Sequence, residues 1–319
     1  MGRGLLARIR RHASMASGNF AAMFEGVEIP PLPAAAARLI EEINQPDPEL
    51  DRLVKVISAS PETSAKVIQT INSSLFALRS PVLTVRHAVS LLGLRHIRPI
   101  ALSYAMVDAI PRPKDNLFDH GLFWIDCLLR AILARSFAHR HCQGDEEEAF
   151  TAMLIADVAL PVLLDAWGEY YTPVIEQWRS GTERLSAIER RIFSWDHAQA
   201  GSWILQSWNF PEELVCFVGL HNVEPEQLAE LELTESIALP IVVAAQLPSG
   251  LRPDPNKTHA LVHSAMEIFS MTAAEMKNLI AEVQIGFDEI RELFDLGAGN
   301  APQVFEHLTQ AAAQEDAEE

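Results

Sequence analysis

The strongest constraint on how this chain folds is a stripe of apolar residues at helical spacing that recurs along it. The segment QPDPELDRLVKVI places apolar side chains at i, i+3, i+4 and i+7, namely Leu50, Leu53, Val54 and Ile57, which is the pattern of one buried helix face. Ahead of the stripe stand Asp47 and Pro48, residue types favoured at the N-cap and first position of a helix. Alternation of apolar and polar residues, which indicates strands, is nearly absent. The sequence therefore predicts an all-α fold.

Further helices follow the same rule. Ser60–Pro61 and Thr84 begin two more stripes, and Gly93 follows the second as a left-handed stop, because glycine adopts that backbone geometry without a clash at Cβ. Beyond it the pattern predicts helices at about 94–108, 118–141, 145–167, 170–179, 185–208, 211–220, 236–247, 260–269 and 272–294. No period of 20–50 residues recurs, which argues against a solenoid.

Two proline-rich breaks, at 111–116 and 248–257, suggest how the chain is divided. They predict a two-lobed helical protein with C-terminal helices beyond the second break. The predicted parts are a basic leader at 1–25, an N-terminal helical lobe at 26–112, a second helical lobe at 113–250, and C-terminal helices with an acidic tail at 251–319. The tail, QEDAEE, is expected to be solvated.

Charge and cysteine content narrow the class of function. Asp and Glu number 43 against 25 Lys and Arg, for a net charge of −18, which disfavours general nucleic-acid binding because phosphate backbones are bound through clustered cations. The three cysteines form no CxxC pair, so a disulfide framework is not expected and the compartment is predicted to be the cytoplasm. No apolar run reaches the length of a membrane span.

The usual chemical motifs are missing: there is no GxxxxGK[ST], no strand-led GxGxxG and no GxSxG. The remaining candidates are acids and histidines at helical positions. Asp126 lies in FWIDC, Asp157 in the apolar stretch LIADVALP, and His197 and His221 at the two ends of DHAQAGSWILQSWNFPEELVCFVGLH. The ordinary interpretations are that Asp157 hydrogen-bonds to backbone, that His197 is a capping or core histidine, and that Trp124 belongs to the core.

At this point the chain resembles the HDOD domain family. The steps that carry the resemblance are Pro31-Leu32-Pro33, Ile57 to Pro61, Asn72-Ser73-Ser74-Leu75-Phe76 and Pro81 to Gly93, with Ser60 where the family usually has Asp. They match the N-terminal half of the domain, and residues 118–222 are similar to the second half, a relative of the HD phosphohydrolases. The resemblance covers about residues 26–250 and implies a signalling role in bacteria.

HD phosphohydrolases hold one or two divalent metals with helix-borne His and Asp side chains, which bind phosphate and activate water. The resemblance places Asp126 at the first ligand histidine, Ala156 and Asp157 at the central His-Asp pair, and His197 at the later histidine. Of the family's histidine pair only His221 remains, and Gln246 occupies the position of the family's final ligand aspartate. Alanine has no donor atom and glutamine is a weak neutral ligand, so the resemblance implies a degenerate metal site with no catalytic residues and no cofactor.

The leading hypothesis is therefore a non-catalytic regulatory protein. It would bind a protein partner or a small ligand, of unknown identity, in a groove lined by Trp124, Asp126, Asp157, His197, His221 and Gln246. One alternative is a residual metal-dependent phosphohydrolase acting on nucleotides or cyclic dinucleotides. Another is a lipid-associated regulator that uses the basic residues within 1–11.

Overall fold

The computed structural model describes residues 29, 31–32, 34–45, 50–76, 78–107, 110, 112–113 and 118–318. Within these ranges all regular structure is helical, so the all-α prediction is confirmed. The helices before the first proline-rich break are α1 Ala34–Ile43, α2 Leu50–Ser58, α3 Pro61–Ile71, α4 Val85–Leu92 and α5 Leu94–Val107, with a 3-10 turn at Ser74–Phe76.

Two helices of 22 residues each lie after that break. The helices of this second region are α6 His120–His141, α7 Glu146–Leu154, α8 Ala159–Ser180, α9 Leu185–Phe193, α10 His197–Ser207, α11 Glu212–Leu220, α12 Pro225–Glu230 and α13 Ala238–Ala244. The C-terminal helices are α14 Pro255–Ile268, α15 Ala273–Arg291 and α16 Ala301–Glu318, with a 3-10 turn at Glu292–Phe294 between the last two.

The N-caps that the sequence predicts for α3 and α4 are present in the structure. The Ser60 side chain accepts from the backbone N–H of Thr63 at the start of α3, and the Thr84 side chain accepts from that of His87 at the start of α4. Gly93 ends α4 with φ 84°, the left-handed region that glycine tolerates. In the apolar stripe of α2, Leu53, Val54 and Ile57 are buried as predicted, and Leu50 is half-buried. The proposed Asp47 cap lies outside the described residues.

Two long helices predicted from periodicity are each broken in the structure. The helix predicted at 145–167 is interrupted by turns at 155–158, because Pro161 has no N–H with which to continue the ladder through Asp157 and is instead suited to the first turn of a new helix. The helix predicted at 185–208 is interrupted where Ser194 takes φ 65° and Asp196 caps α10. Both breaks place a predicted site residue at the edge of a helix.

Other boundaries differ less. The predicted end near Trp167 coincides with a kink, where that residue has φ −129° and ψ 33° inside α8. The short helix α12 was not predicted. The stretch Glu146–Ser180 contains an 18-residue window apolar enough for a membrane span (mean hydropathy 1.8), yet 83 % of that window is buried inside the protein, as in a core segment.

One large core joins helices from both sides of residue 113. It extends from Leu39 on α1 to Ala312 on α16, and α6 runs through its middle with apolar side chains buried on every face. Helix α5 packs on α7, and α7, α13 and α15 pack on α6. A smaller apolar cluster links α8, α9 and α10. The candidate site lies where these two clusters meet the loop after α13.

The C-terminal segment QEDAEE was expected to be solvated. Its residues Gln314, Asp316 and Ala317 are exposed, but the segment is helical, because α16 continues to Glu318, and Glu315 is buried. The Glu315 carboxylate lies 2.9 Å from Nδ1 of His263 and 3.3 Å from Nε2 of His259, both on α14. The pairing with histidines on a packed neighbour explains why this acidic residue is inside. The predicted basic leader at 1–25 lies outside the described residues.

Candidate functional site

Asp157 is the centre of the candidate site. It lies in the turn between α7 and α8, and only 5 % of the residue is exposed. Its Oδ1 lies 3.3 Å from Nε2 of His197 and 3.3 Å from Nε2 of His221, and its Oδ2 accepts a hydrogen bond of 2.8 Å from Nη1 of Arg130. The buried carboxylate is thus surrounded by three basic side chains.

The two histidines are held by different elements but face the same oxygen. A capping box between Asp196 and Gln199 fixes the start of α10, so that His197, the first residue of the helix, points at Asp157. His221 follows the end of α11, and its Nδ1 donates to the backbone carbonyl of Val218 at 2.7 Å. The imidazole centroids are 5.3 Å apart.

A second buried carboxylate orients His197. Glu189 on α9 accepts from Nδ1 of His197 at 2.6 Å and from its backbone N–H at 3.0 Å, both through Oε2. Its other oxygen accepts from the hydroxyl of Tyr171. Glu189 is fully buried, so its two oxygens are satisfied entirely by protein groups, as a buried charge requires.

The electrostatics of the cluster favour charged forms. Burial raises the pKa of Asp157, but hydrogen bonds from His197 and His221 and the charge of Arg130 outweigh this and hold it well below its usual range. Burial lowers the pKa of His197, but the charge of Glu189 and hydrogen bonds to Asp157 and Glu189 raise it to about 10. At neutral pH the pair is therefore carboxylate and imidazolium.

Arg130 is a site residue that the sequence analysis missed. Its guanidinium donates to Asp157 through Nη1 and to the carbonyl of Leu247 through Nε at 3.1 Å and Nη2 at 3.0 Å. A signal was available: Asp126 and Arg130 are four residues apart in the otherwise apolar run FWIDCLLRAIL, and residues at that spacing share one helix face. A pair of charges within a buried helix indicates a polar site.

Asp126 connects α6 to the loop after α13. Its carboxylate accepts from Oγ of Ser249 at 2.5 Å and from the backbone N–H of Gly250 at 2.9 and 3.1 Å. Burial raises the pKa of Asp126, although the charge of Arg130 and the hydrogen bonds from Ser249 and Gly250 act in the opposite direction. In this structure the residue anchors a loop, and its oxygens are turned toward that loop.

Most of the predicted site residues come together around one cavity of about 140 Å³. Those that line it are Asp126, Asp157, His197, His221 and Gln246. Trp124 is not among the described residues that line this cavity: its indole N–H donates to Nε2 of His120 at 3.1 Å, and the ring packs on Phe123. Two residues correspond to about 200° of helix rotation, so Trp124 and Asp126 face opposite sides of α6.

The suitability of the cluster for a metal ion depends on two opposing features. Asp157, His197 and His221 offer donor atoms within 4.8 Å of one another, and each histidine Nδ1 is already bonded, which is the usual arrangement around a metal-ligating imidazole. Against this, the guanidinium of Arg130 already supplies a positive charge to Asp157. Ala156, fully buried next to it, adds no donor atom.

Residues 29–223 match the HDOD domain. The chain belongs to the HDOD domain family. A protein of Treponema pallidum (strain Nichols) without an assigned function is 21 % identical over 201 residues, which is 62 % of this chain and 38 % of that protein. The chain therefore spans well under half the length of this relative.

Solved structures share the fold. An HDOD domain protein of unknown function from Geobacter sulfurreducens aligns with TM-score 0.62 and 21 % identity, covering 91 % of this chain and 97 % of that one. A protein of Shewanella amazonensis SB2B, provisionally named a phosphohydrolase, aligns with TM-score 0.58 and 20 % identity over 96 % and 98 %. A provisionally named signal transduction protein of Marinobacter aquaeolei VT8 aligns with TM-score 0.55 and 20 % identity, covering 97 % of this chain and 66 % of that one. At these identities the likeness concerns the fold.

Proposed function

We propose that this HDOD protein is a signal-transduction module that acts by binding and not by hydrolysis. The observation that carries the proposal is the buried pair of Arg130 and Asp157, 2.8 Å apart. A metal-dependent hydrolase needs a divalent ion at such a carboxylate to polarise phosphate and activate water. With an arginine there, and with alanine at position 156, the charges and donors of the site do not suit that ion.

The cavity suits a ligand with a negatively charged group. Its lining includes the cationic side chains of Arg130, Arg184, Arg252 and Lys257 together with the aspartates at positions 126, 157 and 254, and Arg184 pairs with Glu224 at 2.7 Å. Four cationic side chains gather at this cavity although the chain carries a net charge of −18, and cationic groups that line a cavity attract anionic ligands. A small anionic molecule is favoured; an acidic segment of a protein partner is the other occupant that this chemistry admits.

The rim of the cavity is built from two of these cations. Arg252 donates to the carbonyl of Trp178 at 2.6 Å, and its guanidinium lies 5.2 Å from the centre of that indole ring. Lys257 donates to the carbonyl of Thr182 at 2.7 Å. Both bonds join the loop and start of α14 to the end of α8, so a ligand that displaced them would change how these elements meet. Such a movement is a means of signalling.

The proposal is tested by ligand binding to the full chain. Inorganic phosphate and a nucleoside monophosphate are the probes, read by calorimetry and by thermal unfolding. A ligand at 100 times its Kd stabilises the folded state by about 2.7 kcal/mol. Lys257→Gln should weaken binding at least several-fold. Lys277→Gln is the matched control, because Lys277 is similarly exposed and also pairs with an aspartate, but on α15 away from the cavity. Equal binding by both variants, or none by the wild type, contradicts an anion site.

A metal-dependent phosphohydrolase is the second candidate, favoured by the three-donor cluster of Asp157, His197 and His221. It predicts cleavage of bis-p-nitrophenyl phosphate in the presence of Mn²⁺, with the activity lost in Asp157→Asn. The binding proposal predicts that wild type and Asp157→Asn are equally inactive. Turnover that depends on both Mn²⁺ and Asp157 would establish the enzyme and reject the binding module.

A further inference from the structure

The cluster around Asp157 has the geometry of a cation site. The Asp157 carboxylate and Nε2 of both His197 and His221 lie within 4.8 Å of one another. Each imidazole has its Nδ1 engaged, by Glu189 for His197 and by Val218 for His221, so that Nε2 of each ring faces Asp157; Nε2 of His197 also lies 2.9 Å from Nδ2 of Asn222. Imidazole and carboxylate donors in this arrangement suit divalent transition-metal ions.

The cation found at this carboxylate is a side chain of the protein itself. The Arg130 guanidinium is 2.8 Å from Oδ2 of Asp157, and only 13 % of the Arg130 side chain is exposed. Two further N–H groups hold the carbonyl of Leu247 at 3.0 and 3.1 Å. The guanidinium is therefore fixed from two sides, and its planar, permanently charged donors pair well with a carboxylate in a dry environment.

The loop after α13 holds this arrangement in place. Leu247 accepts from Arg130, and Ser249 and Gly250 donate to Asp126 one turn earlier on α6. The loop thus points Arg130 toward Asp157 and turns the oxygens of Asp126 away from it. The same four residues of the chain, 247–250, therefore hold both Asp126 and Arg130 of α6.

We infer that the guanidinium of Arg130 supplies the positive charge that a metal ion would otherwise place beside Asp157. Removing this guanidinium converts Asp157, His197 and His221 into a binding site for a divalent transition-metal ion. The inference rests on the proposed function, since a binding module has no need of an exchangeable ion at this point. The inference also names the cause that keeps a metal ion from this site: the charge of Arg130 matters more than the missing donor atom at Ala156.

The test compares metal uptake by the full chain with and without the guanidinium. Arg130→Met keeps much of the side-chain volume and removes the charge, and Arg130→Lys keeps a charge at the same helix position. The probe is Co²⁺, followed by calorimetry and by its visible absorption, which reports coordination by nitrogen and oxygen. We expect Arg130→Met to bind one equivalent at least tenfold more tightly than the wild type and Arg130→Lys, and to lose this binding on adding His221→Ala.

Folding is controlled with a second substitution. A buried carboxylate without its partner is destabilising, so Arg130→Met is also made together with Asp157→Asn. If Arg130→Met alone unfolds and Asp157→Asn restores its helical circular dichroism, the fold is sensitive to the unpaired carboxylate; recovery of Arg130→Met by Co²⁺ then supports the inference, and failure of Co²⁺ to restore it overturns the inference.

Two further results decide against the inference. Folded Arg130→Met with no gain in Co²⁺ affinity overturns it and leaves the binding function standing. Stoichiometric tight binding of Co²⁺ by the wild type also overturns it, and only metal-dependent turnover in addition would overturn the proposed function.

Discussion

Two clusters of acids and histidines in this protein use the same residue types in different surroundings. At the cavity, the exposed fractions of the side chains of Asp157, His197 and His221 are 7, 6 and 2 %. At the C-terminal end, Glu315 is 10 % exposed, but its partners His259 and His263 are 35 and 54 % exposed. The first cluster joins a turn and the ends of two helices, α10 and α11, around a cavity, whereas the second joins the surfaces of α14 and α16.

The difference shows that burial, more than residue type, decides what such a cluster can do. In water-excluded surroundings each charge must be matched by a partner, so the positions of all groups are interdependent. Where the histidines are exposed, solvent screens the same interactions and the pair serves mainly to fasten one helix to another. The cavity cluster is therefore a candidate site, and the C-terminal cluster is a clamp on α16.

The largest expected effect is that of Asp157→Ala. The change leaves Arg130 buried without its carboxylate, which destabilises a folded protein by about 3–5 kcal/mol. Urea unfolding followed by circular dichroism measures it. A loss below about 1 kcal/mol would show that the cavity cluster behaves like the exposed one, and the comparison would fail.

Glu189→Gln should have the next largest effect. The amide keeps the shape but removes the charge that faces the His197 imidazolium, and it offers one good acceptor where two are used by His197 and Tyr171. We expect a loss of about 1–3 kcal/mol in the free energy of unfolding. The control is Glu183→Gln. The Glu183 carboxylate pairs with the exposed Arg191, so its loss should change the free energy of unfolding little. Equal losses in the two variants would contradict the ranking.

The pH dependence of stability provides a third comparison. The pKa of His197 is raised from 6.5 to about 10 in the folded protein, so folding is favoured by the protonated imidazole. That contribution is complete below about pH 6.5 and is lost as the pH rises toward 10. The free energy of unfolding should decrease across this range in the wild type and decrease less in His197→Gln. Parallel curves for the two proteins would show that His197 does not carry the dependence.

The smallest effect is predicted for Glu315→Gln. Because both histidine partners are partly exposed, the loss should be about 1 kcal/mol or less, measured by the same urea unfolding. Hydrogen exchange sharpens the result: amides near the end of α16 should exchange faster while those of α10 are unchanged. A loss as large as that of Asp157→Ala would reverse the order of the two clusters.

The sequence predicted what local patterns control. Helix stripes and caps such as Ser60 and Thr84 depend on neighbouring residues, and the similarity to a known family identified Asp126, Asp157, His197 and His221 as parts of one site. The boundary errors occur where one residue interrupts an apolar run, Pro161 in the first case and the N-cap Asp196 in the second. Periodicity carried the helices through residues 155–158 and 194–196, because the apolar run continues there while the backbone turns.

The errors within the site have different causes. Trp124 was included because it precedes Asp126 in the family motif, yet two residues along a helix lie on opposite faces. Arg130 and Glu189 were not singled out, although each is a charged residue within a largely apolar pattern. Their partners, Leu247 and Asp157 for Arg130 and His197 for Glu189, are 117, 27 and 8 residues away, and only the folded chain shows the first two as contacts.

Anomalous diffraction from crystals of the full chain soaked in CoCl₂ tests the central claim most directly. The account predicts the guanidinium of Arg130 against Asp157 and no anomalous peak within bonding distance of Asp157, His197 and His221. A well-occupied peak bonded to these three side chains, with Arg130 displaced, would contradict it.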